Sequence, residues 1–427
     1  MTMQRVEPVR QKKHPRNSET VLRDPPPASI FFETSRSRRR AFPQIAFIGR
    51  RVVMCAILVG CGFIVTCDGP YPETADPAQD SADYITQLPV VDLHNDRSFF
   101  LTARQIPWTA CDTTQICATR YEHAQYFFAL FRPPPPYSPG RFGLSAAQAR
   151  RLAGMSHFEY LQIALADLRK QTKLPISTDP NELGVAGSRI FLGIEGAFLL
   201  DDRAIPARGA AEAASQKPPE SAALQRMIGA LRDAGVSYVG LTWSNANAYA
   251  GVAGDAQGLT PAGRELVRLL RENGLLIDLS HSSDQTVKDV FALTGGRMPL
   301  FFSHSSVRAL CDHPRNLSDE LLELVRASGG LVGINFHTAY ITCSARATRA
   351  DVLKHVQYIA RRYGVGSVAL GGDFDGLIQL PEGLGGPPEM YDLARDLQTA
   401  GFHREEIEAI FFRNARRVLH ASAGPRN

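Results

Sequence analysis

The sequence predicts a (β/α)8 TIM barrel, an α/β fold of eight parallel strands wrapped by helices. Three observations predict it. Short, near-continuous apolar runs alternate with helix-period segments over roughly 340 residues, inside the size range of such barrels. Most of these runs end in His, Asp, Glu or Trp, where barrel strands open into catalytic loops. No Gly-x-Gly-x-x-Gly follows the first run, which weakens the competing doubly wound sheet.

The eight runs are Leu88–Leu93, Ala124–Leu130, Arg189–Ile194, Val236–Thr242, Leu275–Ser280, Pro299–Ser303, Leu331–Phe336 and Ser367–Leu370. Apolar residues on both faces are expected of strands buried in a parallel sheet. Between them lie helix-period segments: Ser145–Lys170, Ala222–Ala234, Pro261–Glu272 with Thr260 as N-cap, Asp284–Leu293, Ser318–Ala327 and Ala350–Tyr363. Glu405–Leu419 closes the pattern.

The 427 residues are 44% hydrophobic and 21% charged, a globular composition that excludes a disordered, collagen-like or small disulfide-scaffold chain. Residues 1–67 hold 12 Lys+Arg against 4 Asp+Glu, whereas the rest hold 35 against 39. The basicity belongs to the N-terminal arm, so the folded body has no electrostatic motive for nucleic acid.

Within that arm, Arg38-Arg39-Arg40-Ala41-Phe42 precedes the apolar run Val52–Cys61, the order of an export signal. Leu58-Val59-Gly60-Cys61 resembles a bacterial lipobox, and Arg39-Arg40-Ala41-Phe42 faintly resembles a twin-arginine signal. A transmembrane anchor is the alternative, but Val52–Cys67 spans 16 residues and a membrane-crossing helix needs about 20. The expectation is an exported protein, either lipid-anchored to a membrane or periplasmic or extracellular. Residues 68–85 are rich in Pro, Ala and Asp, as in a linker. The organisation expected is an arm and signal at 1–67, a linker at 68–85 and the barrel at 86–427. Beyond the signal remain Cys111, Cys117, Cys311 and Cys343, without metal-finger spacing; disulfides or inert thiols are expected.

The polar strand ends carry the chemistry. His94 and Asp96, two apart, would project to one side of an extended strand and reach one cation. Glu195 closes an apolar run, where a carboxylate is costly unless paired or bound to metal. His281 and His304 each follow a strand through a serine. Any one alone is an ordinary strand–loop boundary; together on separate strands they point to a binuclear metal site at the C-terminal ends of the strands. His94 and Asp96 would hold one ion, His281 and His304 the other, with Glu195 between. Mixed N/O ligation suits zinc, two ions per subunit. Two such ions can share a hydroxide and polarise a carbonyl. Asp373, in Gly371-Gly372-Asp373-Phe374-Asp375-Gly376, would act as general base and acid, and Asp375 would brace the loop.

These stretches resemble the membrane (renal) dipeptidase family of zinc peptidases. The motifs are Val91-Asp92-Leu93-His94-Asn95-Asp96, Gly193-Ile194-Glu195-Gly196, Leu276–His281, Phe302–Ser306, Arg315–Asp319 and Gly371–Gly376, in family order over nearly all of residues 88–420. The resemblance implies a first zinc site at His94, Asp96 and Glu195 and a second at Glu195, His281 and His304. It implies Asp373 as acid/base and Arg315 as the grip on a dipeptide's carboxylate. It also implies a Cys311–Cys343 disulfide, which leaves Cys111 and Cys117 as a small loop of their own.

One departure matters. The family's Leu-Thr-His stands here as Leu241-Thr242-Trp243. The resemblance implies a substrate-binding role at this position, binding the substrate carbonyl, yet Trp offers one N–H and no charge. Losing an oxyanion donor costs about 10²–10³ in turnover. Trp243 donates through its indole, or Asn245, Asn247 or His337 substitutes, or the substrate differs. The Pro-rich stretch Pro133–Pro136 is expected at the pocket rim. The expected partner is a small dipeptide, with a lipid anchor and a homodimer left open. The alternatives are an amidohydrolase acting on a non-peptide amide or lactone, and a weakly catalytic exported binding protein.

Overall fold

The computed structural model describes residues 83–110, 124–133, 142–172, 174–185, 187–200, 220–245 and 247–422. All belong to the unit Thr74–Asn427; the unit Met1–Glu73 lies outside the described residues. The signal-like segment, Cys111, Cys117 and Pro134–Pro136 lie outside them too, as does the linker except its last residues. Asp83–Thr86 is already helical, and Ile85 is buried.

Eight parallel strands form the sheet: β1 Val91–Asn95, β2 Gln125–Leu130, β3 Arg189–Ile194, β4 Val236–Gly240, β5 Leu276–Asp278, β6 Phe301–Ser305, β7 Leu331–Ile334 and β8 Val368–Leu370. Each pairs with the next in sequence order. The ring is completed just past the ends of β1 and β8. There Asp373 N donates to His94 O (3.0 Å), Asp96 N donates to Phe374 O (2.9 Å), and Asn95 and Phe374 form a parallel bridge. This is the (β/α)8 barrel the strand count demanded.

An aromatic layer fills the interior. Phe127 stacks on Phe191 at 5.0 Å and lies 5.9 Å from Tyr238, which in turn meets Phe301 at 5.4 Å. Contacts from β2 to β4 and from β4 to β6 skip a strand, so these rings cross the barrel lumen and pack it as a core.

Thr260 caps Pro261–Glu272 as expected, accepting from Gly263 N at 3.0 Å. The segment expected as one stretch over Ser145–Lys170 is instead two helices, Ala146–Ala153 and His157–Gln171. Each starts with its own capping box, Ser145 with Gln148 and Ser156 with Glu159, and Gly154 ends the first. The closing segment runs Arg404–Glu408 and Asn414–Ser422 with a π turn between. β6 extends two residues beyond the expected run, so His304 lies inside a strand. Among the described residues no helix is long and apolar enough to cross a membrane.

Two buried histidines outside the donor cluster are held neutral. His355 accepts from Val307 N at 3.0 Å and donates its other ring N–H to Ile341 O at 2.9 Å, and burial pushes it down to about 4. His157 accepts from Arg132 at 3.2 Å; burial first, then the Arg132 charge, bring it to about 3. Both values lie below the usual 6.5, so the unfolded chain binds more protons as pH falls. Their contribution to stability is full above pH 6.5 and is lost on acidification toward pH 4. For His355 alone the loss is about 2 kcal/mol by pH 5. Melting temperatures at pH 7 and pH 5 should therefore converge in His355→Gln, whose amide can replace both bonds. An unchanged pH slope in that variant would remove His355 from this role.

Candidate metal centre and substrate pocket

The mouth at the C-terminal ends of the strands holds a cavity of about 290 Å³, lined by Asp96, Glu195, His281, Arg315, Asp373 and Trp243 among others. His94 is the next-to-last residue of β1 and is fully buried. Asp96 is not on the same strand face, as the two-residue spacing predicts. The chain has left the strand at Asp96 (φ −97°, ψ 17°), and its N–H is tied to Phe374 O. The bend still brings Asp96 Oδ1 to 3.8 Å from His94 Nε2. Glu195 stands just beyond β3. Its Oε1 lies 3.1 Å from His281 Nε2, 3.5 Å from His304 Nε2 and 3.6 Å from His94 Nε2. All five sequence-predicted donors thus converge.

Several features of this cluster fit a cation. His281 Nε2 and His304 Nε2 are 2.9 Å apart. His94 Nε2 and Asp96 Oδ1 are buried with no hydrogen-bond partner among the described residues. Burial, the charge of Asp373 and, for Asp96, the charge of Glu195 push both carboxyls far above their usual range. Burial also pushes all three histidines far below theirs, with neighbouring Arg315 adding to the effect. Neutral imidazoles facing crowded carboxylates are the donor set a divalent metal satisfies.

The ring orientations are fixed from behind. Tyr238 Oη lies 3.2 Å from both Leu93 O and His94 Nδ1. A carbonyl only accepts, so the hydroxyl proton goes to Leu93 and His94 Nδ1 carries the hydrogen. The Nε2 lone pair then faces the Asp96 and Glu195 carboxylates. Ser303 does the same for His304: its hydroxyl donates to Asp278 Oδ2 at 2.5 Å and accepts from His304 Nδ1 at 2.8 Å. Asp278 Oδ1 in turn accepts from the backbone N–H of Ser280 and Ser303. His94, Asp278 and His304 also lie close enough to hold an ion, but the Ser303 hydroxyl fills that space. The groupings left to a metal are Glu195–His281–His304 and His94–Asp96–Asp373. Gly193 makes room for Tyr238, since a Cβ there would sit 2.0 Å from its ring.

Asp373 and His281 both adopt left-handed backbone conformations (φ 56° and 67°), a strain of about 1–3 kcal/mol each. Asn335 Nδ2 donates to Asp373 Oδ2 at 3.0 Å, and burial raises the carboxyl to about 6. Asp375 braces the loop as expected, 3.5 Å from Arg97. Arg315 donates to His304 O (3.2 Å) and Ser305 Oγ (3.4 Å), over the ring of Tyr340. Among the described residues no carboxylate pairs with it. Its loop is tied to the next by the Cys311–Cys343 disulfide, the pairing the resemblance implied, and by Asn316, which donates to Cys311 O and Tyr340 O.

Trp243 lines the cavity, and its indole N–H donates to no described residue. Asn247 is not available to replace it: Oδ1 accepts from Tyr249 N and Ala250 N, and Nδ2 donates to Leu241 O. His337 caps a short helix and lines the opposite rim. Sequence reasoning missed Tyr238, Asp278, Ser303, Asn335 and Tyr340; the polar residues among them interrupt apolar runs, which was the available signal.

Fold and donor set together define a (β/α)8 barrel with a candidate metal centre in its mouth. The family model described as membrane dipeptidase (peptidase family M19) matches residues 221–425. Dipeptidase aclJ of Aspergillus oryzae is 36% identical over 205 residues, 47% of this chain and 47% of that protein, so the chain spans about half the length of this curated relative. An uncharacterized protein in the pqqA 5′ region of Klebsiella pneumoniae is 34% identical over 206 residues, 45% of this chain and 75% of that protein. The chain belongs to the membrane dipeptidase family. The fold is also that of a metallo peptidase from Rhodobacter sphaeroides, solved with a phosphinate mimic of the dipeptide L-Ala-D-Ala (TM-score 0.61, 22% identity, covering 78% of this chain and 99% of that one).

Removing only the hydroxyl, in Tyr238→Phe, leaves the aromatic layer in place and leaves His94 Nδ1 with the Ser303 hydroxyl at 3.3 Å as its remaining partner. Zinc affinity measured against a competing chelator is expected to fall about 10–100-fold. Unchanged affinity would show that His94 needs no such orientation.

Proposed function

We propose that this chain is a zinc-dependent dipeptidase. The reading is carried by one observation: five buried metal-type donors converge beside one small cavity, which is also lined by a carboxylate held by Asn335 and by a guanidinium with no carboxylate partner among the described residues. His94 and Asp96 would hold one zinc ion and His281 and His304 a second, with Glu195 shared. Zinc there would supply Lewis acidity, making water acidic and polarising an amide carbonyl.

The remaining work belongs to the chain. Asp373, oriented by Asn335, takes the proton of the attacking water and returns it to the leaving amine. Arg315 presents its fork to the free carboxylate of the substrate, a pairing favoured because no carboxylate among the described residues pairs with it. A carboxylate grip this close to the donors limits the substrate to two residues, and a cavity of about 290 Å³ agrees. The presence of both Asp373 and Arg315 in place favours an enzyme over a binding protein. Trp243 stands where the substrate carbonyl would be received, with an indole N–H that donates to no described residue. Location follows the same reading: the basic-then-apolar N-terminus and the Cys311–Cys343 disulfide support export to an oxidising compartment, with a lipid anchor at Cys61.

Asp373→Asn is expected to bind zinc as the native chain does while dipeptide turnover drops about 10²–10⁴-fold; metal analysis beside kinetics checks this, and an undiminished rate would strip Asp373 of its role. Dipeptide amides, which lack the carboxylate, should be poor substrates, and Arg315→Lys should raise KM for free dipeptides. Equal rates on amides and acids would favour a non-peptide amide or lactone as the substrate.

A further inference from the structure

The mouth is divided by strand order. Arg315 follows β6 and Tyr340 follows β7, whereas Phe131 follows β2 and Trp243 follows β4. In a ring ordered β1 to β8, these two arcs face each other across the donors of β1, β3, β5 and β6. One arc carries the cation. The other is aromatic: Trp243 lies 5.0 Å from Phe131 and 6.1 Å from Phe142, with Phe99 behind them at 5.9 Å from Phe131. The wall reaches the donors, since the Trp243 ring is 6.2 Å from that of His281. Leu241 and Thr242 before it are buried, but Trp243 is only partly so, and it lines the cavity together with all three phenylalanines.

We propose that this wall selects dipeptides whose first residue carries a large apolar side chain, best an aromatic one, packed on Trp243, Phe131 and Phe142. The inference rests on the dipeptidase reading above. With the carboxylate on Arg315 and the scissile carbonyl at the donors, the first residue runs toward the β2–β4 arc. There its side chain meets ring faces and offset edges, the surfaces aromatic groups pack on. The residue that departs from the family pattern, Trp243, is the one that completes this wall. An imidazole there would leave the arc polar at its inner edge.

The test uses the zinc-loaded full chain with Phe-Ala, Leu-Ala, Gly-Ala and the reversed Ala-Phe. A single methylene in an apolar pocket changes kcat/KM by about 10–200-fold, so Phe-Ala should exceed Gly-Ala by at least about tenfold, and Phe-Ala should exceed Ala-Phe. Trp243→Ala is expected to shrink the Phe-Ala to Gly-Ala ratio mainly through KM, with zinc content unchanged. Phe142→Ala, in a loop at the rim, should shrink the same ratio and covers the case in which Trp243→Ala does not fold. Equal kcat/KM on Phe-Ala and Gly-Ala, or a ratio untouched in folded variants, overturns this inference alone. Hydrolysis of none of the four overturns the dipeptidase reading and this inference with it.

Discussion

The site exists because the barrel closes where it does. Residues 94–96 and 372–374, at opposite ends of the fold, are joined by two backbone hydrogen bonds and by Asp92, whose Oδ1 accepts from Gly372 N at 2.7 Å. The peptide units that seal β1 to β8 are those of His94, Asp96, Asp373 and Phe374. Fold closure and convergence of the donors are thus one event. Asp92 makes this bond from full burial, which pushes its carboxyl up to about 8. Its Oδ1 accepts a second N–H from His94, so the seam is stitched at the ligand itself.

That seam bears a cost. Carboxylates at 96, 195 and 373 crowd one another in a buried mouth, and two candidate site residues, His281 and Asp373, hold left-handed backbones. Such features persist only when the surroundings over-determine them. Here they do, because each imidazole is held at its back by a hydroxyl: His94 by Tyr238, His304 by Ser303 and His281 by Ser244. The donor atoms are oriented by these bonds, and the electrostatic tension among them is what a cation would release.

The legible part of the sequence is the part the strands dictate. A strand of three to six residues must end in the mouth, so a polar residue at its end or just past it is aimed there by the fold alone; His94, Glu195, His281, His304 and Asp373 could be picked out that way. Asp96 was found by a wrong route, since strand alternation does not apply once the chain bends at Asn95. Tyr238 was unreadable because a tyrosine inside an apolar run looks like core, and only the three-dimensional register places its hydroxyl behind a β1 histidine. Asn335 was passed over for His337: both follow β7, and the one nearer the strand end reaches Asp373. The break at Gly154 was hidden because two capping boxes in succession mimic one long amphipathic period.

This contrast separates what the fold can vary from what it cannot. The donors sit on strand ends whose register is set by seven neighbouring ladders and one seam, so displacing any of them displaces backbone. Trp243, Phe142, Tyr340 and Leu377 sit on the loops beyond, braced by local devices such as the Cys311–Cys343 disulfide and the Asn316 bonds. Loops of this kind tolerate exchange of side chains because few backbone pairings depend on them. On the proposed reading, tryptophan after β4 in place of the family's histidine changes the surface offered to a substrate without calling for any change in strand register. On that reading, strand register holds the donors and the segments above them shape the substrate surface.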